Sequence, residues 1–360
     1  MKYIDEFRDR ALTSRLIRRI HSVADKTREY RYMEVCGTHT MAVFRYGLRE
    51  LLPRNIRLIS GPGCPVCVTP VEYLDRAIAI ARLPKVIITT FGDMLRVPGS
   101  SSTLERERTG GKRIKVIYST DDALDIAKRN PDKEVVFLGV GFETTVPTVA
   151  ASISSAAKQG IRNYSVLCAH KTMPEALGAI MAHGDTRIDG FLLPGHVCAI
   201  TGMKPYEFLA KRYGTGCVAA GFEPVDILQA ILILMEQKAP IVEVQYKRIV
   251  DPLGNPLARK TIEKVFEKSS SVWRGMGKLK NSGLRIRKEF SGFDASLKFR
   301  VKTVRTREDK ACLCGAVLKG IKTPADCKLF GKRCTPVNPV GSCMVSAEGT
   351  CAAYYKYGRR

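Results

Sequence analysis

A chain of 360 residues, 45% hydrophobic and 26% charged with 18 Pro, is long enough for two or three domains and lies outside the disordered, collagenous and fibrous classes. The formal net charge is +24, and residues 241–360 carry 26 basic against 10 acidic side chains. No zinc-finger spacing, aromatic RNA-binding pattern or basic zipper accompanies this charge, so it reads as a solvated surface and nucleic acid is not expected as a partner.

Taken in chain order, the first 20 residues alternate acidic, basic and apolar side chains without an apolar core. Neither a secretory signal nor a transit peptide is expected, and a cytoplasmic location is. Short apolar runs at 32–36, 56–60, 85–90 and 114–119, then at 134–140, 164–169, 190–194 and 216–221, predict eight strands. Helical patterns at 40–52, 70–82, 122–129, 145–158, 174–183, 205–213 and 224–238 separate them. Continuous apolar strands alternating with helices are βαβ units with buried parallel sheets. The expected fold class is α/β: two similar doubly wound parallel-sheet domains, 1–125 and 126–240, the strands falling into two sets of four. A basic, irregular Cys-rich domain at 241–360 follows. The longest strongly apolar stretch, 227–235, is nine residues and contains Gln229, too short for a spanning helix of about 20 residues.

Ligands of open α/β sheets bind beyond the carboxyl ends of the strands. The chemically unusual residues collect at those ends. After the first strand comes M-E-V-C-G-T-H-T-M, with Cys36 at the strand edge and His39 entering a helix. After the second comes G-P-G-C-P-V-C-V-T-P, with Cys64 and Cys67. The fifth is followed by G-V-G-F-E-T-T with Glu143, the sixth by A-H-K-T with His170, and the seventh by L-P-G-H-V with His196. The C-x-x-C pair precedes Thr69-Pro70-Val71-Glu72, whose spacing is that of a capping box, so the sulfurs sit by a helix N-terminus that lowers a thiol's pKa. This suits a redox dithiol, with half of a zinc site as the rival reading. Cys36 suits a nucleophile or a soft-metal ligand, or a small core hydrophobe. The histidines read as functional or as satisfied loop residues, and Glu143 as a base or as a helix-start carboxylate. Gly139-Val140-Gly141 lacks the third glycine of a dinucleotide fingerprint, and no phosphate-binding G-x-x-x-x-G-K-[ST] occurs.

Twelve cysteines are present, and six of them, Cys312, Cys314, Cys327, Cys334, Cys343 and Cys351, crowd the tail. Thiolates without histidine suit zinc or a [4Fe-4S] cluster, and wide, irregular spacing leans toward iron-sulfur.

These motifs, together with the tail D-C-K-L-F-G-K-R-C-T-P-V-N-P-V-G-S-C-M-V-S-A-E-G-T-C-A-A-Y-Y-K-Y-G, closely resemble the HypD family of [NiFe]-hydrogenase maturation factors, from Met33 to Gly358. The resemblance implies a scaffold for assembling the Fe(CN)2CO group. It implies a stable complex with the small chaperone HypC, transient contact with HypE for cyanide delivery, and no membrane partner; without partners a monomer is expected. Carried onto this sequence, Cys36 holds the iron and Cys64 and Cys67 form the redox pair, with His39, His196 and Glu143 beside them. The family's C-x12-C-x6-C-x16-C spacing falls on Cys314, Cys327, Cys334 and Cys351 as ligands of a [4Fe-4S] cluster, leaving Cys312 and Cys343 spare. The competing expectation is a stand-alone iron-sulfur thiol-disulfide oxidoreductase, which needs only the cluster and the C-x-x-C pair.

Overall fold

Strands covered on both faces are largely apolar, and the eight predicted runs all form parallel strands, two at sheet edges keeping an exposed Arg57 and Lys115. The computed structural model of the chain describes residues 5–184 and 187–358. The strands are β1 Tyr30–Glu34, β2 Ile56–Ser60, β3 Val86–Thr90, β4 Ile114–Val116, β5 Glu134–Gly139, β6 Tyr164–Cys168, β7 Gly190–Pro194, β8 Gly216–Ala220, β9 Val242–Val244, β10 Phe266–Trp273 and β11 Gly277–Ile286. Helices cover both faces of two parallel sheets, the expected α/β class.

The strands are not shared out as the division at residue 125 requires. One sheet has the order β2-β1-β7-β8-β9, the other β4-β3-β5-β6. The chain builds two strands of the first sheet, leaves to build the whole of the second, and returns at β7, which pairs with β1 through Tyr32 and Gly190. Each connection is an ordinary crossover, so nothing in the apolar pattern of a strand records which sheet receives it.

The tail is not a separate unit either. β9 closes the edge of the five-stranded sheet against β8. The antiparallel hairpin of β10 and β11 lies on the four-stranded lobe, where Leu284 N–H donates to the His170 carbonyl at 3.1 Å and Thr172 N–H to Ser282 at 3.0 Å. A helix at Arg10–Val23, unforeseen in the mixed charge of the N-terminus, packs against the helix Pro224–Glu236.

One buried cluster runs from Met33 and Val35 of the first sheet through Ile88, Val136 and Leu138 of the second to Trp273 and Cys343. Two others fill the outer faces of the sheets, one around Phe137 and Tyr164 and one around Tyr32 and Leu228. The two lobes therefore share a core, which fixes the gap between their carboxyl ends far better than a flexible linker would. No helix among the described residues is long and apolar enough to cross a membrane.

Candidate functional site

In the five-stranded sheet the order reverses between β1 and β7, and in the four-stranded sheet between β3 and β5. Loops diverge at such points and leave a crevice. Both crevices open into one cleft of about 350 Å³, lined among others by Cys64, Phe91, Asp93, Thr144, His196 and Glu348.

Cys36 ends β1 as the residue before the helix Gly37–Arg45 and is 3% exposed. Its backbone abuts Gly63, so closely that a Cβ there would overlap Cys36 N and Cα, and Gly37 N–H donates to the Gly63 carbonyl at 3.2 Å. The Cys36 loop and the C-x-x-C loop are thus backbone neighbours. Glu348, from the tail, covers Gly37 and accepts a hydrogen bond from Thr38 Oγ1 at 2.6 Å. Burial, and then the Glu348 carboxylate, push the Cys36 thiol up to about 12, while the N–H groups of the helix start pull the other way. A soft cation bound at the sulfur would supply the missing counter-charge.

Cys64 precedes the short helix Pro65–Val68, and its sulfur accepts the Cys67 N–H at 3.3 Å. Burial raises Cys64 well above an ordinary thiol, with Cys67 adding to the rise. Burial also disfavours a thiolate at Cys67, but hydrogen bonds from Cys343 and Cys64 outweigh it, and with the Arg274 charge they leave Cys67 lowered. The pair is asymmetric, with Cys67 the readier thiolate, as an attacking dithiol requires.

The tail locks onto this pair. Ser342 Oγ donates to the Cys67 carbonyl at 2.9 Å, and Ser346 Oγ to Asp93 at 2.6 Å. Cys343 touches Cys67, Cys314 and Cys351, and its Sγ lies 2.6 Å from that of Cys314, within reach of a disulfide. Cys314 does not fit the ligand set expected of it: it is buried in the shared core with Cys343. A different four, Cys312, Cys327, Cys334 and Cys351, surround one small apolar pocket with Leu329, Met344 and Phe330. Cys312 has Cys314 and then Cys327 as charge neighbours, and Cys351 has Cys314 and then Cys334. Spacing alone does not separate Cys312 from Cys314, two residues apart, which differ in burial and in partner. Among the described residues no three ligating side chains converge on a point that one metal ion could share. Four thiols around an apolar pocket instead suit a cubane, each of whose irons takes its own sulfur.

His39 is fully buried, with Nε2 2.9 Å from the Gly221 carbonyl and its ring 4.8 Å from Phe222. His196, half-buried on the cleft wall, rests against the opposite side of the same phenylalanine at 5.1 Å. Burial lowers both to about 4, so both are neutral imidazoles. Glu143 departs from the grouping expected of it. Its neighbours Phe142 and Thr144 line the cleft, but its carboxylate turns away, accepts the Met173 N–H at 2.9 Å and faces a separate cavity with Glu175 and Lys268. Burial raises it to about 7. Residues 143–145 form a turn, closed by the Thr145 N–H on the Phe142 carbonyl at 3.1 Å, and a position at a strand end does not fix the direction of a side chain within such a turn.

Sequence reading passed over Glu348, Asp93, Ser342 and Arg274. Only Glu348, in a tail otherwise free of acids from 327 onward, carried a signal.

Two interleaved parallel sheets, with a buried single thiol and a dithiol on neighbouring strand-end loops beneath a cysteine-rich tail, define a thiol-rich α/β protein. Comparison with known proteins is specific. The model of the HypD family, described as the hydrogenase formation hypA family, matches residues 11–358. Hydrogenase maturation factor HypD of Azotobacter vinelandii is 50% identical over all of this chain and 98% of its own length. HypD of Rhizobium leguminosarum bv. viciae is 47% identical over all of this chain and 96% of its own. Hydrogenase expression/formation protein HupD of Azotobacter chroococcum is 49% identical, over all of this chain and 98% of its own. The chain belongs to the HypD family of hydrogenase maturation factors.

Proposed function

We propose that the chain is the scaffold on which an iron atom acquires its cyanide and carbonyl ligands before transfer to a [NiFe] hydrogenase. The observation that carries this is the packing of the Cys36 backbone against Gly63, the residue before Cys64, so that the loop of the single thiol lies against the C-x-x-C loop. The iron is cargo, held by Cys36 and by a thiol of the small partner HypC. HypE presents cyanide as a carrier thiocyanate at the cleft mouth by His196 and Glu348.

Releasing cyanide from a thiocyanate takes two electrons and one proton and leaves the carrier thiol. Cys64, which lines the cleft, and Cys67 supply both electrons as they close to a disulfide: one thiolate attacks the carrier sulfur and expels cyanide, and the other thiol resolves the mixed disulfide and frees the carrier thiol. Cys343 touches Cys67 on one side and Cys314 on the other, so exchange through Cys314 and Cys343 can restore the dithiol. A [4Fe-4S] cluster fits Cys312, Cys327, Cys334 and Cys351 and supplies one-electron chemistry when bound. The shared core excludes water around these sulfurs, and the neutral His39 and His196 add no competing charge.

Replacing Cys36 by Ala is expected to abolish iron retention by the complex with HypC while the cluster's visible absorption persists. Undiminished iron in that variant removes Cys36 from the site. Cyanide and carbonyl infrared bands on the wild-type complex, and their absence from a stand-alone oxidoreductase, separate the two activities.

A further inference from the structure

Residues 298–333 carry eleven Lys or Arg against three Asp or Glu, and within this run Lys310, Lys328 and Lys332 lie within two residues in sequence of Cys312, Cys327 and Cys334. We propose that this basic run is the docking face for an acidic one-electron carrier protein, a reading that rests on the cluster assignment above.

The fold gathers the charges. Cys327 Sγ lies 3.8 Å from the Ala311 carbonyl, which brings Lys310 beside Lys328. Arg333 reaches Asp309 at 3.2 Å and adds the next turn to the same face. The acids are spent internally: Asp309 on Arg333, Asp326 on the N–H and hydroxyl of Thr323, Glu308 on Arg274 at 3.0 Å. Lys310, Lys328 and Lys332 are exposed and make no ion pair with any described residue. Their field therefore points outward, where it accelerates encounter with an acidic surface.

Position gives the field its use. Cys312, Cys327 and Cys351 are half-exposed, whereas Cys64, Cys67, Cys314 and Cys343 are buried. Cys67, Cys314 and Cys343 are enclosed and Cys64 opens only to the cleft, so a folded one-electron carrier meets the thiols at the lobe where the half-exposed ones come to the surface. Val337, 93% exposed on the loop after Cys334, supplies an apolar contact within the charged ring, the usual composition of a small transient interface. Each reduced carrier yields one electron and leaves oxidised, with no bond made or broken. Two carriers in turn supply the pair that, with two protons from solvent, reduces one disulfide to a dithiol. A nucleic acid would share the attraction to lysine, and the duplex measurement below distinguishes it.

The test uses the full chain, purified anaerobically, and a plant-type [2Fe-2S] ferredoxin as the acidic probe. Binding is measured at low and at high salt, alongside the rate at which reduced ferredoxin bleaches the visible band. The triple variant Lys310→Glu, Lys328→Glu, Lys332→Glu is expected to weaken low-salt binding and slow bleaching by about tenfold or more, leaving reduction by dithionite unchanged. A control reversing Arg129 and Lys158, exposed on helices of the four-stranded lobe, is expected to match wild type. Iron and sulfide absent from the purified chain would overturn the cluster assignment and the docking face with it. Iron and sulfide present, with ferredoxin indifferent to the triple variant or equally affected by the control, would overturn the docking face alone. So would tighter binding of a DNA duplex through the same lysines.

Discussion

Two residues apart in sequence, Cys312 and Cys314 have different chemical surroundings. Cys312 is half-exposed, and burial pushes its thiol up to about 12, against the local positive charge of Arg274. Cys314 is buried, and the hydrogen bond from Cys343 lowers it. Packing thereby separates the two thiols, which residue spacing could not do. Cys312→Ser is expected to lose the iron-sulfur absorption and most of the bound iron, because a hydroxyl does not replace a thiolate for iron. Cys314→Ser is expected to keep both and to leave Cys343 without a disulfide partner. Iron counting with alkylation mapping of the two variants checks this, and the reverse result would restore the spacing-based set. Cys36, Cys64, Cys67 and His196 could be found from sequence because each follows an apolar run where a strand must end. Glu143 follows the same rule, yet its carboxylate lies in the wrong cavity, since the rule fixes a loop and not the direction of a side chain within it.

At the scale of elements, the approach of two strand-end loops is the critical feature. The loop after β2 crosses directly over the end of β1, and Gly63 is the residue at the crossing. A methyl group there meets backbone on Cys36 and Val35, which cannot rotate away as a side chain can. Gly63→Ala is expected to cost about 1–3 kcal/mol, the usual range for overpacking a dense site, and to separate Cys36 from the dithiol so that iron retention falls with stability. Urea denaturation and iron content measured on the same preparation check both; a variant equally stable and equally loaded would show that the two loops move apart freely. The parallel strands were legible because burial on both faces forces continuous apolar runs. The β10 and β11 hairpin was not. Phe266 and Trp273 are buried at its ends, while Glu267, Lys268 and three serines between them alternate half-buried with exposed, a pattern read as an irregular Lys- and Ser-rich stretch. Its anchor, Lys171, is a buried lysine donating to Ser271 and Val272 of β10 at 2.9 and 2.8 Å, a contact across a hundred residues that no local pattern announces.

At the scale of the whole molecule, the interleaved sheets decide which parts of the chain can exist alone. β1 takes β2 on one side and β7 on the other, so a fragment ending at residue 125 lacks half of the partners that its central strand needs. It also leaves β3 without β5, and the shared core without Phe191, Leu193 and Trp273. Exposed strand edges and an open apolar face favour aggregation over folding. Residues 1–125 expressed alone are therefore expected to show no cooperative urea transition and little native near-ultraviolet signal. Cooperative unfolding of that fragment would establish residue 125 as a true boundary. The expectation follows from topology, since every strand in the fragment has the local sequence of a stable one. What it lacks is the return of the chain at β7, and the same return brings His196 to the cleft opposite the dithiol. Splitting the chain between the sheets would thus remove the site and the fold together, because the gap that holds the sulfurs is made by strands from both halves.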